Sequence, residues 1–148
     1  MNNTKDERLT LISIMTYYAD QIFNKTKQFE FRKSPLKESD LNKPIYVYSA
    51  KGHKAIIGTM EVSKIHKGSV EEILKITGYD KRLDGKEIVD YFAGKDVAYA
   101  LEISNVKKFS KPLTLKEMRK VDPHLQLPQY YTYIKRTSPL YEQIKKIR

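Results

Sequence analysis

The chain contains no cysteine and no tryptophan, and only six glycines and six prolines among its 148 residues. Without cysteine, neither a disulfide framework nor a thiolate metal site is available. His53, His66 and His124 have no partner at i+3 or i+4, so zinc-ligand spacing is missing and each is expected to be a loop or surface histidine. No G-x-x-x-x-G-K-[ST] loop, G-x-S-x-G elbow or cysteine nucleophile occurs. No metal and no cofactor are therefore expected. No apolar run approaches the ~18 residues a membrane helix needs, and MNNTKDERLT lacks a charged-then-apolar leader pattern. The expectation is a cytoplasmic protein with no membrane partner, monomeric or dimeric.

What is present is charge and tyrosine. The net charge is +10, and 40% of residues are hydrophobic against 31% charged, a globular composition. The charge is uneven: residues 107–148 hold 11 basic and 3 acidic side chains, whereas the first 106 are nearly balanced. A basic excess confined to one stretch sets up a positive field that attracts polyanions. Eleven tyrosines, several on predicted strands, can complete a core or stack on bases.

Hydrophobic patterning predicts an α+β fold. LTLISI (9–14) reads as a strand, with Thr16 capping a helix through Ile22 and Phe23. KQFEFR (27–32) alternates as a half-buried strand, with Glu30 and Arg32 on one face. PIYVYSA (44–50) and AIIGTMEVSKI (55–65) form two strands joined by Lys51-Gly52-His53-Lys54, where Gly52 is free to take a positive φ. Ser69 and Glu72 make a capping box for a helix ending near Gly78, and a second helix spans about 85–92. A long strand over 97–109 stops before Pro112. Thr114 then opens a short helix closed by Pro123, and QYYTYI (129–134) is a last strand. One domain over 1–148 is expected, its core at about 9–134, with 135–148 a basic C-terminal tail or helix. Lys145, Lys146 and Arg148 there are read as a frayed tail touching phosphates or as a solvated terminus.

The segment SIMTYYADQIFNKTKQFEFRK (13–33) resembles the opening of ASCH domains, relatives of the PUA fold, through Ser13, Tyr18 to Ile22, Lys27, Glu30 and Arg32. Asn24 stands at the turn where the family usually has glycine, and is expected to adopt the left-handed backbone. PIYVYSAKGHKAIIGTMEV, YFAGKDVAYALEISNVKKFSKPLTL and LPQYYTYI continue the likeness in order. The resemblance implies a small PUA-like mixed or antiparallel β-barrel with flanking helices, whose cleft binds RNA or a nucleotide-like ligand.

Carried over residue by residue, the resemblance nominates Lys27, Glu30 and Arg32 for the cleft. Arg32 is suited to gripping a phosphate and Glu30 to accepting from a base amine. The bland alternative is a surface ion pair on an exposed strand face. Tyr48 and Ser49, ending their strand beside the Lys51–Lys54 turn, are further ligand candidates, with Lys51, Lys54, Lys107 and Lys108 as phosphate contacts. Some ASCH proteins look like amide hydrolases of acylated nucleosides, built on a lysine, a threonine and a glutamate. Here Lys27 matches, but the threonine position holds Glu30, which cannot supply a hydroxyl, and only Asp80 and Glu87 stand in the region of the third group. Lys27 and Glu30 remain the candidates for that chemistry. For ribonuclease chemistry the candidates are Tyr48 and Lys54, which could stabilise a phosphoryl transition state.

Overall fold

The computed structural model describes residues 7–148; the six residues before them, part of the stretch read above as lacking a leader, lie outside the described residues. The elements run β1 (Arg8–Met15), α1 (Thr16–Phe23), β2 (Phe29–Arg32), a 3-10 turn (Glu38–Asp40), β3 (Ile45–Ala50), β4 (Ala55–Gly68), α2 (Val70–Thr77), α3 (Lys86–Tyr91), β5 (Ala98–Thr114), α4 (Leu115–Val121), β6 (Tyr131–Lys135) and α5 (Tyr141–Lys145). The fold is α+β, as the patterning predicts. Its six strands are hydrogen-bonded in the order β2-β5-β4-β3-β1-β6. The order has two ends, β2 and β6, so the expected barrel is not closed by strand pairing. No helix among the described residues is long and apolar enough to cross a membrane.

The chain divides into two compact units. Of the described residues, the first comprises 7–26, 44–61 and 105–148. Its centre is the parallel pair β1 and β3, in register from Thr10 opposite Ile45 to Met15 opposite Ala50, with β6 antiparallel on the other side of β1. β3 and β4 pair antiparallel, with a bulge beside Tyr48: Val47 faces Gly58 but Tyr48 faces Ile56, leaving Ile57 as the extra residue. The core gathers Leu11, Tyr48, Ile56, Phe109, Leu113, Met118, Ile134, Leu140, Tyr141 and Ile144. Leu140, Tyr141 and Ile144 make α5 a packed helix rather than a frayed tail, and the Arg148 carbonyl accepts from Ser110 N–H at 3.0 Å.

β5 runs through Pro112 to Thr114, where the sequence predicted an interruption. A proline is tolerated where the ladder does not need its missing N–H. Thr114 caps α4 in a complete capping box with Glu117, whose carboxyl is held below its ordinary range by the Thr114 backbone N–H and hydroxyl. This is the same device as Ser69 and Glu72 at α2.

The second unit comprises residues 27–43 and 62–104. There β2 pairs antiparallel with β5, Glu30 opposite Leu101 and Arg32 opposite Tyr99. α2 and α3 supply Ile73, Leu74, Ile88 and Phe92 to a core closed by Ala98 and Ala100, with Phe29, Phe31 and Tyr79 packed against it.

Gly58 in β4 is fixed by close approach. A Cβ there would stand 2.3 Å from the Lys107 carbonyl oxygen and 2.4 Å from Phe23 Cε1. Gly58→Ala is therefore expected to cost about 3 kcal/mol, read as a lowered urea midpoint; a loss under ~0.5 kcal/mol would contradict this packing.

Candidate functional site

In the second unit, β2 brings Lys27, Glu30 and Arg32 together. Glu30, only 5% exposed, is bracketed by two cations. Lys27 Nζ lies 2.7 Å from its Oε1, while Arg32 reaches Oε2 through Nε at 2.9 Å and its terminal nitrogen at 2.8 Å. Lys27 is buried too, at 8% exposure. The alternation that placed Glu30 and Arg32 on one face is met, but that face is not the exposed one of a surface ion pair. Both carboxylate oxygens are engaged within the protein. Nearby, Lys33 Nζ sits 4.7 Å over the Tyr91 ring, whose phenol burial pushes up.

His66, expected in a loop or on the surface, lies on β4 in this unit. Its Nε2 is 3.0 Å from Glu102 Oε1, and this contact holds the Glu102 carboxyl below its ordinary range. His124 is exposed, as expected.

In the first unit the candidates cluster at the C-terminal ends of β1 and β3. Tyr48 is 4% exposed and Ser49 fully buried. The turn that follows is built differently from the sequence expectation. Gly52 does not take a positive φ; Lys51 (φ 74°) and Lys54 (φ 49°) do. Gly52 is needed for contact instead, since a Cβ would meet Thr16 Cγ2 at 2.8 Å. The turn left of β2 repeats this pattern. Asn24 has φ −90°, and Lys25 (φ 65°) takes the left-handed position.

Thr16 is not a helix cap, because the N-cap residue is Met15, with no side-chain bond. Its hydroxyl turns to the β3–β4 turn. It donates to the Ala50 carbonyl and accepts Gly52 N–H at 2.9 Å, with His53 N–H longer at 3.4 Å. Thr16 Oγ1 also lies 2.8 Å from Ser49 Oγ, and Ser49 Oγ 2.8 Å from His53 Nδ1. His53 Nε2 stands 3.7 Å from Asp20 Oδ1 on α1.

Beside this network is a surface groove of about 600 Å³ lined by His53, Lys54, Thr114, Leu115, Lys116, Arg119 and Lys120. Every charged side chain in its lining is basic. Leu115 N–H donates to the Lys54 carbonyl at 2.8 Å, which ties the start of α4 to the turn. Burial pushes the Tyr48 phenol above its ordinary value and the positive charge of Arg119 draws it partly back. Tyr48 therefore keeps its proton at neutral pH.

Of the predicted residues, the structure gathers Tyr48, Ser49 and Lys54 at this turn, with Lys51 exposed in it; Lys107 and Lys108 are exposed on β5. The sequence reading missed Thr16, His53, Lys116, Arg119 and Lys120. Lys116 with Arg119 and Lys120 has the i, i+3, i+4 spacing of one helix face, a signal present in the sequence.

Residues 11–123 match the family described as a domain of unknown function, DUF365. The chain belongs to this family. It is also 26% identical over 137 residues to a Zymomonas mobilis protein called an ASCH domain-containing ribonuclease, covering 92% of this chain and 90% of that protein. The crystal structure of an ASCH protein from Zymomonas mobilis superposes with a TM-score of 0.80 at 23% identity, covering 99% of this chain and 98% of that one. A tyrosine-to-phenylalanine mutant of the Zymomonas mobilis protein gives 0.79 at 24% identity, covering 94% and 98%. These likenesses show that the DUF365 chain has the ASCH fold, which the sequence resemblance anticipates.

Removing one member of a buried ion cluster leaves another charge uncompensated, so Glu30→Gln is expected to lose about 3–5 kcal/mol in chemical denaturation. Adding Lys27→Met should recover part of that loss. A single-variant loss below ~1 kcal/mol would mark the cluster as an ordinary exposed pair.

Proposed function

We propose that this chain binds RNA in the groove between the β3–β4 turn and α4 and cleaves it there by transesterification. The observation that carries this reading is the groove lining, in which His53, Lys54, Lys116, Arg119 and Lys120 stand without a carboxylate. Clustered cations neutralise phosphates and release their counterions, the main source of affinity for a polyanion. The exposed Lys51, Lys107 and Lys108 add to the field that draws it in. The ribonuclease name of the relative supports RNA as the polyanion.

The chemistry follows from what the substrate carries. The 2′-oxygen attacks the adjacent phosphorus, the bond from phosphorus to the 5′-oxygen breaks, and a 2′,3′-cyclic phosphate forms. The 2′-hydroxyl proton must be taken up, and the departing 5′-oxygen must receive one. Negative charge builds on the phosphoryl oxygens in between. Arg119 and Lys54 are the cations that counter it, Arg119 through a planar fork suited to two oxygens. The Lys54 ammonium is a proton donor for the leaving oxygen, and Tyr48, which keeps its phenol proton, is a hydrogen-bond donor. A DNA strand has no 2′-hydroxyl, so the same groove binds it without cutting it.

A labelled single-stranded RNA and its 2′-deoxy counterpart test this. Wild-type protein should bind both, cut only the RNA, and leave cyclic-phosphate ends. Affinity should fall with a log–log salt slope near about −3, from ~0.7 per phosphate neutralised by four groove cations. Lys54→Ala and Arg119→Ala should each lower cleavage by roughly 10²-fold. Absence of RNA binding at low salt, or cleavage that both variants leave intact, overturns the proposal.

A further inference from the structure

Transesterification in the groove needs an acceptor for the 2′-hydroxyl proton, and the hydrogen bonds around the β3–β4 turn supply one. A carbonyl oxygen only accepts, so the bond between Thr16 and Ala50 commits the single hydroxyl proton of Thr16. The contact of 2.8 Å between Thr16 Oγ1 and Ser49 Oγ must then use the proton of Ser49. Ser49 has only one. At its other contact, 2.8 Å from His53 Nδ1, it can only accept, and the imidazole must carry a proton on Nδ1. One backbone carbonyl thus sets the direction of three successive hydrogen bonds. In the neutral imidazole the remaining nitrogen, Nε2, keeps its lone pair.

The ring's orientation makes that lone pair usable. Nδ1 is turned toward a hydroxyl with 0% exposure, whereas the His53 side chain is 44% exposed and lines the basic groove. Nε2, the ring nitrogen that Ser49 does not engage, lies 3.7 Å from Asp20 Oδ1. Asp20 from α1 is the carboxylate facing the ring; Lys54 in the turn and Lys116, Arg119 and Lys120 from α4 are the cations sharing its groove. The series Ser49, His53, Asp20 is not a nucleophilic triad. Ser49 has no exposed surface, and its proton is directed at Thr16, away from the imidazole.

We propose that His53 Nε2 takes the 2′-hydroxyl proton, with Thr16 and Ser49 as positioning residues that hold the imidazole in its Nδ1–H tautomer and Asp20 as the counter-charge of the imidazolium formed. The substrate in this statement rests on the ribonuclease reading; the tautomer does not. In the step, the O2′–H bond breaks and its proton passes to Nε2 while O2′ bonds to phosphorus. The 5′-oxygen leaves with a proton from Lys54, and exchange with water returns both side chains to their starting states.

Nitrogen NMR of histidine-labelled protein reads the tautomer directly, with His53→Gln assigning the signal and the pH raised until the imidazole resonances stop moving. Wild-type His53 should show a protonated Nδ1 and a bare Nε2. Thr16→Val and Ser49→Ala should each shift the signal toward the Nε2–H form, and Thr16→Ser should restore it. An Nε2–H imidazole in the wild type, or a tautomer indifferent to both deletions, overturns the positioning role. In the cleavage assay His53→Gln should lose roughly 10²–10³-fold in rate with little change in RNA affinity. Unchanged cleavage removes the base role. Should wild-type protein bind RNA without cutting it, the base role falls with the ribonuclease reading, and the NMR result still decides the tautomer.

Discussion

The parallel pairing of β1 with β3 is the constraint from which the rest of the first unit follows. Parallel strands end at the same edge, so Met15 and Ala50 lie side by side. Whatever follows each strand must then share that edge. After β1 the chain turns into α1 at Thr16, and after β3 it turns through Lys51–Lys54 toward β4. Thr16 and the turn are therefore neighbours although more than thirty residues separate them. In open sheets with parallel strands, the carboxyl ends are where ligands are met, because loops there are released from the sheet while their roots stay fixed. The bulge opposite Val47 and Tyr48, with Ile57 as its extra residue, falls on β4 just after this turn.

Charge in this protein works in two ways that composition alone does not separate. Lys27 and Arg32 close around Glu30 in the second unit, and their charge serves a contact within the fold. In the first unit the basic residues of α4 and the turn face a groove whose lining offers them no carboxylate. The basic excess over residues 107–148 includes Lys116, Arg119 and Lys120, which line this groove. It did not identify the face, which depends on Leu115 N–H being tied to the Lys54 carbonyl.

Much of the fold was legible because its signals are local. The capping boxes at Ser69 with Glu72 and Thr114 with Glu117 are completed within three residues, and both are formed. The strands over Leu9–Ile14 and Pro44–Ala50 follow from short β-branched runs. Tyr48 and Lys54 were legible as a pair because they flank one turn. Other features depend on distant residues. Pro112 lies in β5 beyond the stretch from Tyr99 to Glu102 that pairs with β2, so it interrupts no bond of that ladder. Barrel closure, expected from the family resemblance, is a question of strand ends that no local pattern reports. The role of Thr16 is set by contacts to Ser49, Ala50 and Gly52, which only the β1–β3 register brings within reach.

The turn itself shows why glycine was misread. The expectation placed the unusual backbone at Gly52, the residue that adopts it most easily. The structure instead places left-handed conformations on Lys51 and Lys54, each costing on the order of 1 kcal/mol, and reserves the missing Cβ of Gly52 for the approach of Thr16. That exchange is intelligible if the contact cannot be given up. The Gly52 N–H bond to Thr16 and the Leu115 N–H bond to Lys54 hold the two strained lysines in place from either side. A turn relaxed onto a left-handed Gly52 would free Lys51 and Lys54 of strain but would release the hydroxyl that orders Ser49 and His53. The strain therefore lies on the same four residues that present His53 and Lys54 to the groove, and it is the hydroxyl of Thr16, not the flexibility of glycine, that fixes their shape.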